Sequence, residues 1–477
     1  MADAVLGSQR DGGSFRDPSG YVFQQGGRLY RAIDARCAED LRSLKDSGGL
    51  DRLIKEGLVV GTEFLPPSAL TRQFAAENPG YGTFLEHEVL RPITYPYCWT
   101  VSMLADAGLH TIDLQLRLLQ SGHSLKDATA YNVQFRNGRP VFIDLSSIER
   151  PARLDIWIAL GQFHQMFTFP LLLVRYRGWD LRSYFLANLG GRTVEEVARA
   201  FTGLSRFHPR LLLDVTLPLS LNRRGTGSGG ASSGREMLTK PNRNSQPQVI
   251  NLKRVRRKIQ KLAAGYRPEG TWSRYTQECT YDDAATLAKK ARVGEMLRTV
   301  QPKLVLDLGC NTGDYSFLAA EGGATVIAAD SDHDAVELLY RRLRGKGAPI
   351  TPVVLDLCNP SPAIGFRNLE RARFIDRVEP DCVMALALFH HLHVSGNLPL
   401  ESIRDLFCDL TRDALILEFV PPADPMFQKI TAFRLQSYEA VTLQACLDAF
   451  RPRFDLLRQV PVPGTPRSLL LFRRRQP

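Results

Sequence analysis

The sequence predicts an α/β chain: a doubly wound, mainly parallel sheet in the C-terminal half, preceded by a separate α+β domain. Three observations predict it. Short apolar runs rich in Val, Ile and Leu recur between residues 304 and 420, with helix-length stretches between them. The first run leads into a Gly-rich turn and then a helix start. The N-terminal half is patterned differently, with a long amphipathic stretch followed by a tight hairpin.

In chain order, Tyr21-Val-Phe-Gln-Gln-Gly-Gly-Arg-Leu-Tyr30 reads as a hairpin, and residues 99–122 read as one long amphipathic helix. Residues 133–135 and 141–143 are short strands joined by an Asn137-Gly138 turn. This hairpin presents Asn132 at its start and Asp144 at its end, and Asp127 lies five positions before Asn132. On their own these are turn residues beside a hairpin. Their order and spacing resemble the catalytic loop of protein kinases and aminoglycoside-phosphotransferase-like proteins. In those folds the first Asp orients the acceptor hydroxyl, and the Asn and second Asp bind magnesium. The resemblance implies a kinase-like α+β domain over residues 1–220 with Asp127, Asn132 and Asp144 at its site. The chain departs from that pattern. Lys126 stands where Arg or Gly is usual, Leu145-Ser146 replaces Phe-Gly, and Arg31 is the nearest substitute for a strand lysine. The expectation is a kinase-like fold in which phosphotransfer is absent or slow.

Residues 221–269 form a basic connection. Residues 225–234 are Gly/Ser-rich and read as a flexible linker. Between Arg223 and Arg267, twelve Lys/Arg stand against the single acid Glu236, a local +11 that matches the net charge of the whole chain. Leu252, Val255, Ile259 and Leu262 have helical spacing on a basic helix. The plain reading is a solvated connecting helix. The sharper one is contact with an anionic partner, either nucleic acid or a membrane surface. No aromatic residues interleave with the charges to stack on bases, which weakens the nucleic-acid case.

The C-terminal half, residues 270–477, opens with Leu304-Val-Leu-Asp-Leu-Gly-Cys-Asn-Thr-Gly313. A strand ends in Asp307, a turn carries Gly309 and Gly313, and a helix starts near Asp314. Glycine lets the backbone take φ > 0 and approach a ligand, and Asn311 is the next most tolerant residue type. A second strand, residues 324–329, ends in Asp330, where a carboxylate can hold both hydroxyls of a ribose. A third, residues 350–355, ends in Asp356, and a fourth and fifth occupy residues 381–387 and 414–420. One such acid could be a helix cap; three at successive strand ends point to a ligand. Residues 454–460 and 468–473, around Pro463-Gly464, read as a closing hairpin.

The turn discriminates between nucleotide classes. An acid leading it would repel a pyrophosphate but suits the ammonium of an amino acid. The segment resembles the class I methyltransferases that use S-adenosylmethionine, over roughly residues 270–475. That resemblance implies a Rossmann-like, seven-stranded methyltransferase domain closed by the antiparallel pair. It also implies that Asp307 and the backbone of Gly309, Cys310, Asn311 and Gly313 meet the methionine part. Asp330 would then hold the ribose, with Asp356 and Leu357 flanking the adenine. Taken whole, the chain resembles a two-part bacterial methyltransferase group, some members of which are nodulation host-specificity proteins. Asn359-Pro-Ser-Pro-Ala363 and Ala387-Leu-Phe-His-His-Leu392 also fit that group.

Methyl transfer needs alignment and sometimes a base. The candidates after the fourth strand are His390 and His391, with His393 beside them; on a helix start the first two diverge by about 100°, so one faces the cofactor. Alternatively, one of them caps or packs the helix. Glu418 could pair with a histidine, and Pro421-Pro-Ala-Asp-Pro425 could shape the acceptor pocket. No metal site is expected, because the histidines lack cysteine partners and ligand spacing. The eight cysteines are scattered without a Cys-x-x-Cys pair and read as reduced thiols. The N-terminal residues show no signal-peptide pattern, and no apolar run reaches the roughly 20 residues of a membrane span, so a cytoplasmic enzyme is expected. Two rivals stand beside it: a non-catalytic regulatory or scaffold protein, and a bifunctional phosphotransferase–methyltransferase.

Overall fold

The computed structural model describes residues 9–202, 211–217, 219, 240–270 and 283–476. The Gly/Ser-rich stretch at 225–234 lies outside them.

The N-terminal half begins with a five-stranded antiparallel sheet. Its strands are β1 (Gln9–Arg10), β2 (Gly20–Gln25), β3 (Arg28–Ile33), β4 (Thr62–Phe64) and β5 (Thr83–His87), in the order β1-β2-β3-β5-β4. The β2–β3 turn uses Gly26 and Gly27, both at positive φ, as a two-residue hairpin with right-handed strand twist requires. Alternating aromatics, Tyr21, Phe23 and Tyr30, close over Phe74 and Phe84 in a small separate core. The predicted long helix spans Val101–Gln120, capped by the Thr100 side chain accepting from the Met103 amide. Next come β6 (Ser124–Leu125), β7 (Val133–Arg136), β8 (Arg139–Phe142) and β9 (Ile148–Glu149). Asn137 and Gly138 turn the β7–β8 hairpin with φ of 50° and 72°.

The basic helix spans Gln246–Ala264 and buries the anticipated Leu252, Val255, Ile259 and Leu262 against the Val101–Gln120 helix. Part of its charge is answered internally. Arg254 and Lys258 pair with buried Asp214, and Arg256 pairs with Asp113.

The C-terminal half holds a seven-stranded sheet. Its strands are β10 (Leu304–Leu308), β11 (Thr325–Asp330), β12 (Ile350–Val354), β13 (Cys382–Ala385), β14 (Ala414–Phe419), β15 (Phe454–Pro461) and β16 (Ser468–Arg474). The order is β12-β11-β10-β13-β14-β16-β15. The first five are parallel and β15 and β16 antiparallel, so the closing hairpin takes its expected place. The order reverses beside β10, and β10, β11 and β13 all point their carboxyl ends to that crevice. Strand β13 stops short of the anticipated residue 387, because Ala387 takes a positive φ of 53° and turns the chain.

The halves share an apolar core. The helix after β11, His333–Leu343, packs on the Val101–Gln120 helix. Glu337, fully buried, accepts from the Ser102 amide at 2.9 Å and the Ser102 hydroxyl at 2.5 Å. A carboxylate there meets the unpaired amides and positive end of a 20-residue helix. Tyr340 donates to Asp106 at 2.8 Å and lies edge-on to Phe135. Among the described residues no helix is long and apolar enough to cross a membrane, and the seven described cysteines are free thiols.

Candidate active site

The β10–β11 register brings the two key acids together. Asp307 pairs with Ala328, and Asp330 ends the neighbouring strand. The turn between β10 and its helix Asp314–Glu321 is held from β11, whose Ala329 carbonyl accepts from the Gly309 amide at 2.8 Å and the Cys310 amide at 3.1 Å. Gly309, Asn311 and Gly313 all have positive φ, at 72°, 50° and 88°. Gly313 has a second reason to be glycine: a Cβ there would lie 2.4 Å from Leu339 Cδ1.

Asp307 is buried and Asp330 half-buried. Asp307 accepts from Ser316 Oγ at 2.5 Å. Burial first, and then the neighbouring charge of Asp330, push the Asp307 carboxyl up to about 7 against the pull of Ser316. Burial also raises Asp330, although its oxygens accept from the Asn311 amide at 2.8 Å and the Asp332 amide at 2.9 Å. So Asp330 is not the cap of the following helix. That task falls to Asp332, which accepts from the Asp334 and Ala335 amides. Cys310 is buried, with its thiol pushed up by burial, and packs as a small residue. Asp356 accepts from the Cys358 amide at 2.9 Å in the turn after β12, with Leu357 half-buried beside it.

Two carboxylates at the ends of neighbouring strands, one of them buried, are an unfavourable pair. A cationic ligand relieves them, and a pyrophosphate worsens them. The residues present therefore fit an ammonium- or sulfonium-bearing nucleoside such as S-adenosylmethionine.

The histidines lie beyond β13 differently from the expectation. His390 caps a single π-helical turn, His391–Ser395, and the two rings sit side by side with centroids 4.3 Å apart rather than diverging. His390 is 1% exposed, lies 6.1 Å from the Phe427 ring in a stacked arrangement, and has a buried Nδ1 without a hydrogen-bond partner. Burial, then His391 and Arg467, hold it well below its ordinary value; burial and Arg467 lower His391 as well. His393 is structural: its Nδ1 meets the Leu398 carbonyl at 2.8 Å and its ring stacks on Phe389.

Glu418 acts on His390 through its charge. It is fully buried between two cations, Lys289 Nζ at 2.5 Å and Arg467 Nη1 at 3.4 Å, and Arg467 also pairs with Asp424 at 2.6 Å. Lys289 and Arg467 gave no sequence signal, since neither stands in a motif. Pro421, Pro422 and Ala423 line an open, mainly apolar cleft of about 450 Å³ with Phe419, Val441 and Leu443.

In the N-terminal half, Asn132 and Asp144 converge, with Asn132 Nδ2 donating to Asp144 Oδ2 at 3.3 Å. Asp144 is already occupied. Arg31 of β3 donates to Asp144 Oδ1 at 2.6 Å, as does Ser146 Oγ, and Ser147 Oγ donates to the other oxygen. Burial alone would raise the Asp144 carboxyl; Arg31 and the two serines hold it below the usual range. His87 completes the cluster, its Nε2 3.3 Å from Arg31 Nε. Asp127 accepts from the Thr129 amide at 3.1 Å and shares a hydrogen bond with Gln162, and burial and then the neighbouring Asp144 charge raise its carboxyl.

No family model matches the chain. Over 484 aligned residues, 99% of both chains, it is 32% identical to the nodulation protein NoeA of Rhizobium meliloti strain 1021. Among solved structures it is similar to the N-methyltransferase NodS of Bradyrhizobium japonicum WM9, at 12% identity over 41% of this chain and 99% of that one, with a TM-score of 0.31. Magnesium protoporphyrin IX methyltransferase of Synechocystis PCC 6803 gives 18% identity, 43% and 93% coverage and a TM-score of 0.30. The bifunctional kinase-methyltransferase WbdD gives 17% identity, 40% of each chain and a TM-score of 0.29.

Proposed function

The chain belongs to the family of the nodulation protein NoeA, and from that premise we propose that it transfers a methyl group from S-adenosylmethionine to an acceptor docked or oriented by the N-terminal domain. The observation that carries this reading is the pair of carboxylates, buried Asp307 and half-buried Asp330, flanking a turn of positive-φ residues at a sheet switch point. S-adenosylmethionine, when bound, supplies a methyl group on a sulfonium.

The chain's own residues do the rest. Asp307 faces the ammonium, and the backbone of residues 309–313 follows the methionine part. Asp330, held by the Asn311 and Asp332 amides, turns its remaining lone pairs to the ribose hydroxyls. Asp356 and Leu357 flank the adenine. His391, half-buried where His390 is sealed, takes the acceptor proton; His390 packs behind it and fixes its ring. Burial keeps both imidazoles neutral, the form a base requires. The cleft under Pro421 and Pro422 receives the acceptor's apolar part.

The N-terminal domain is kinase-like in this reading, but it docks rather than phosphorylates. Magnesium would need Asp144 oxygens that Arg31, Ser146 and Ser147 already engage. That observation favours the docking role over the bifunctional alternative.

The test is an untargeted search for methylated products in extracts supplied with isotopically labelled S-adenosylmethionine, with and without the full chain. Label should enter a discrete product with the wild type and drop by roughly 10²–10⁴-fold in the rate with His391→Ala. Label in no product, while the cofactor still binds, would favour the regulatory reading.

A further inference from the structure

The contact between the halves holds a second cluster that methyl transfer leaves unused. Tyr95 and Tyr97 come from the turn before the long helix, and Tyr131 from the loop that carries Asn132. Arg371 and Arg377 come from the segment between β12 and β13. The Tyr95 ring lies 5.4 Å from Tyr97 and 5.9 Å from Tyr131. The Arg371 guanidinium sits 4.5 Å over Tyr131, and that of Arg377 4.4 Å over Tyr95.

Three polar atoms in this cluster are buried without a hydrogen-bond partner: Tyr97 Oη, Tyr131 Oη and Arg371 Nε. Tyr97 is 1% and Tyr131 6% exposed. A single buried orphan calls for an explanation, and three within one set of touching rings call for a shared one. The positive charge is poorly answered too. The carboxylate beside Arg371, Glu370, is 3.8 Å away and is gripped by Arg16 through two hydrogen bonds of 3.0 and 2.9 Å. Arg377 donates Nη1 to the Ile93 carbonyl, Nε to the Ala372 carbonyl at 3.2 Å and Nη2 to Ser361 Oγ at 3.4 Å; these neutral acceptors fix the side chain, and Asp376 is its neighbouring charge.

The donor set defines the missing partner. Arg371 Nε can only donate, the phenols can donate, and two guanidinium charges stand behind them. An ammonium would meet repulsion here; an anion whose oxygens only accept fits. We propose that Tyr97, Tyr131 and Arg371, backed by Arg377, form a binding site for a phosphate group at the junction of the two halves. It lies between the Asn132 loop and the segment leading away from Asp356, so its occupant would bridge the two candidate sites.

Calorimetry of the full chain with inorganic phosphate, against chloride at equal ionic strength, tests this. One saturable site is expected, and Tyr97→Phe and Tyr131→Phe, which remove only the hydroxyls, should each weaken it by about tenfold. Arg371→Gln should abolish it; if that variant does not fold, the two phenylalanine variants decide. Glycerol 3-phosphate binding more tightly than inorganic phosphate assigns the site to a phosphorylated ligand; equal or weaker binding assigns it to the free ion. No saturable binding, wild-type affinity in both phenylalanine variants, or acetate binding as tightly as phosphate would overturn the proposal.

Discussion

Asp307 is the residue whose titration reports most on the cofactor site. Its carboxyl is raised to about 7 in the fold, against about 3.9 in an unfolded chain. Between those values the folded state holds a proton that the unfolded state lacks. Its contribution to the stability of the ligand-free chain is therefore present below about pH 4 and lost as pH rises through 7. An ammonium ligand needs the ionised form, so affinity for S-adenosylmethionine should rise as pH climbs from 6 to 8, with proton release; Asp307→Asn should flatten that dependence, and calorimetry in two buffers measures both. The buried histidines act in the opposite sense. Burial lowers His87 to about 3 and His164 to about 4, so each binds a proton only on unfolding below about pH 6.5. Each should remove about 2 kcal/mol of stability by pH 5, read from denaturant midpoints. The acids at the strand ends were legible in the sequence because their spacing is local. The Arg31–Asp144 pair was not: Arg31 stands out only as a poor substitute for a strand lysine, and its partner is 113 residues away.

At the scale of elements, the turn after β10 and the ion cluster at β14 carry the site. Gly313→Ala would need an L residue at φ 88° with Cβ 2.4 Å from Leu339. It should cost about 1–3 kcal/mol and shift the start of the Asp314–Glu321 helix, seen as a lower melting temperature together with weaker cofactor binding. Glu418→Ala would leave Lys289 and Arg467 facing one another, both nearly fully buried, and should cost about 3–5 kcal/mol. A variant as stable as the wild type would show that the cluster is solvated. The strands were readable from apolar runs ended by acids and glycine. The close approach of the two histidine rings was not legible, because nothing in His390-His391-Leu-His-Val marks a π turn. The cations that hold Glu418 were not legible for a related reason: they come from the helix Asp283–Val300 and from the residue before β16.

For the whole molecule, the two halves are joined through the helix that follows Asp330. Glu337 and Tyr340 sit on that helix and are buried against the Val101–Gln120 helix. A fragment of residues 270–477 alone would expose Tyr340 and lose the Ser102 hydrogen bonds. It should melt below the full chain, so cofactor binding is to be measured on the full chain. The central claim is that Asp307, the 309–313 turn and Asp330 hold S-adenosylmethionine. Calorimetric titration of the full chain with this ligand, beside NAD, in wild type and Asp330→Ala tests it most directly. One site for S-adenosylmethionine, none for NAD, and a loss of about 1.5–3 kcal/mol in the variant are predicted from charge-assisted hydrogen bonds to the ribose. No heat with S-adenosylmethionine, or the same affinity after Asp330→Ala, would contradict it.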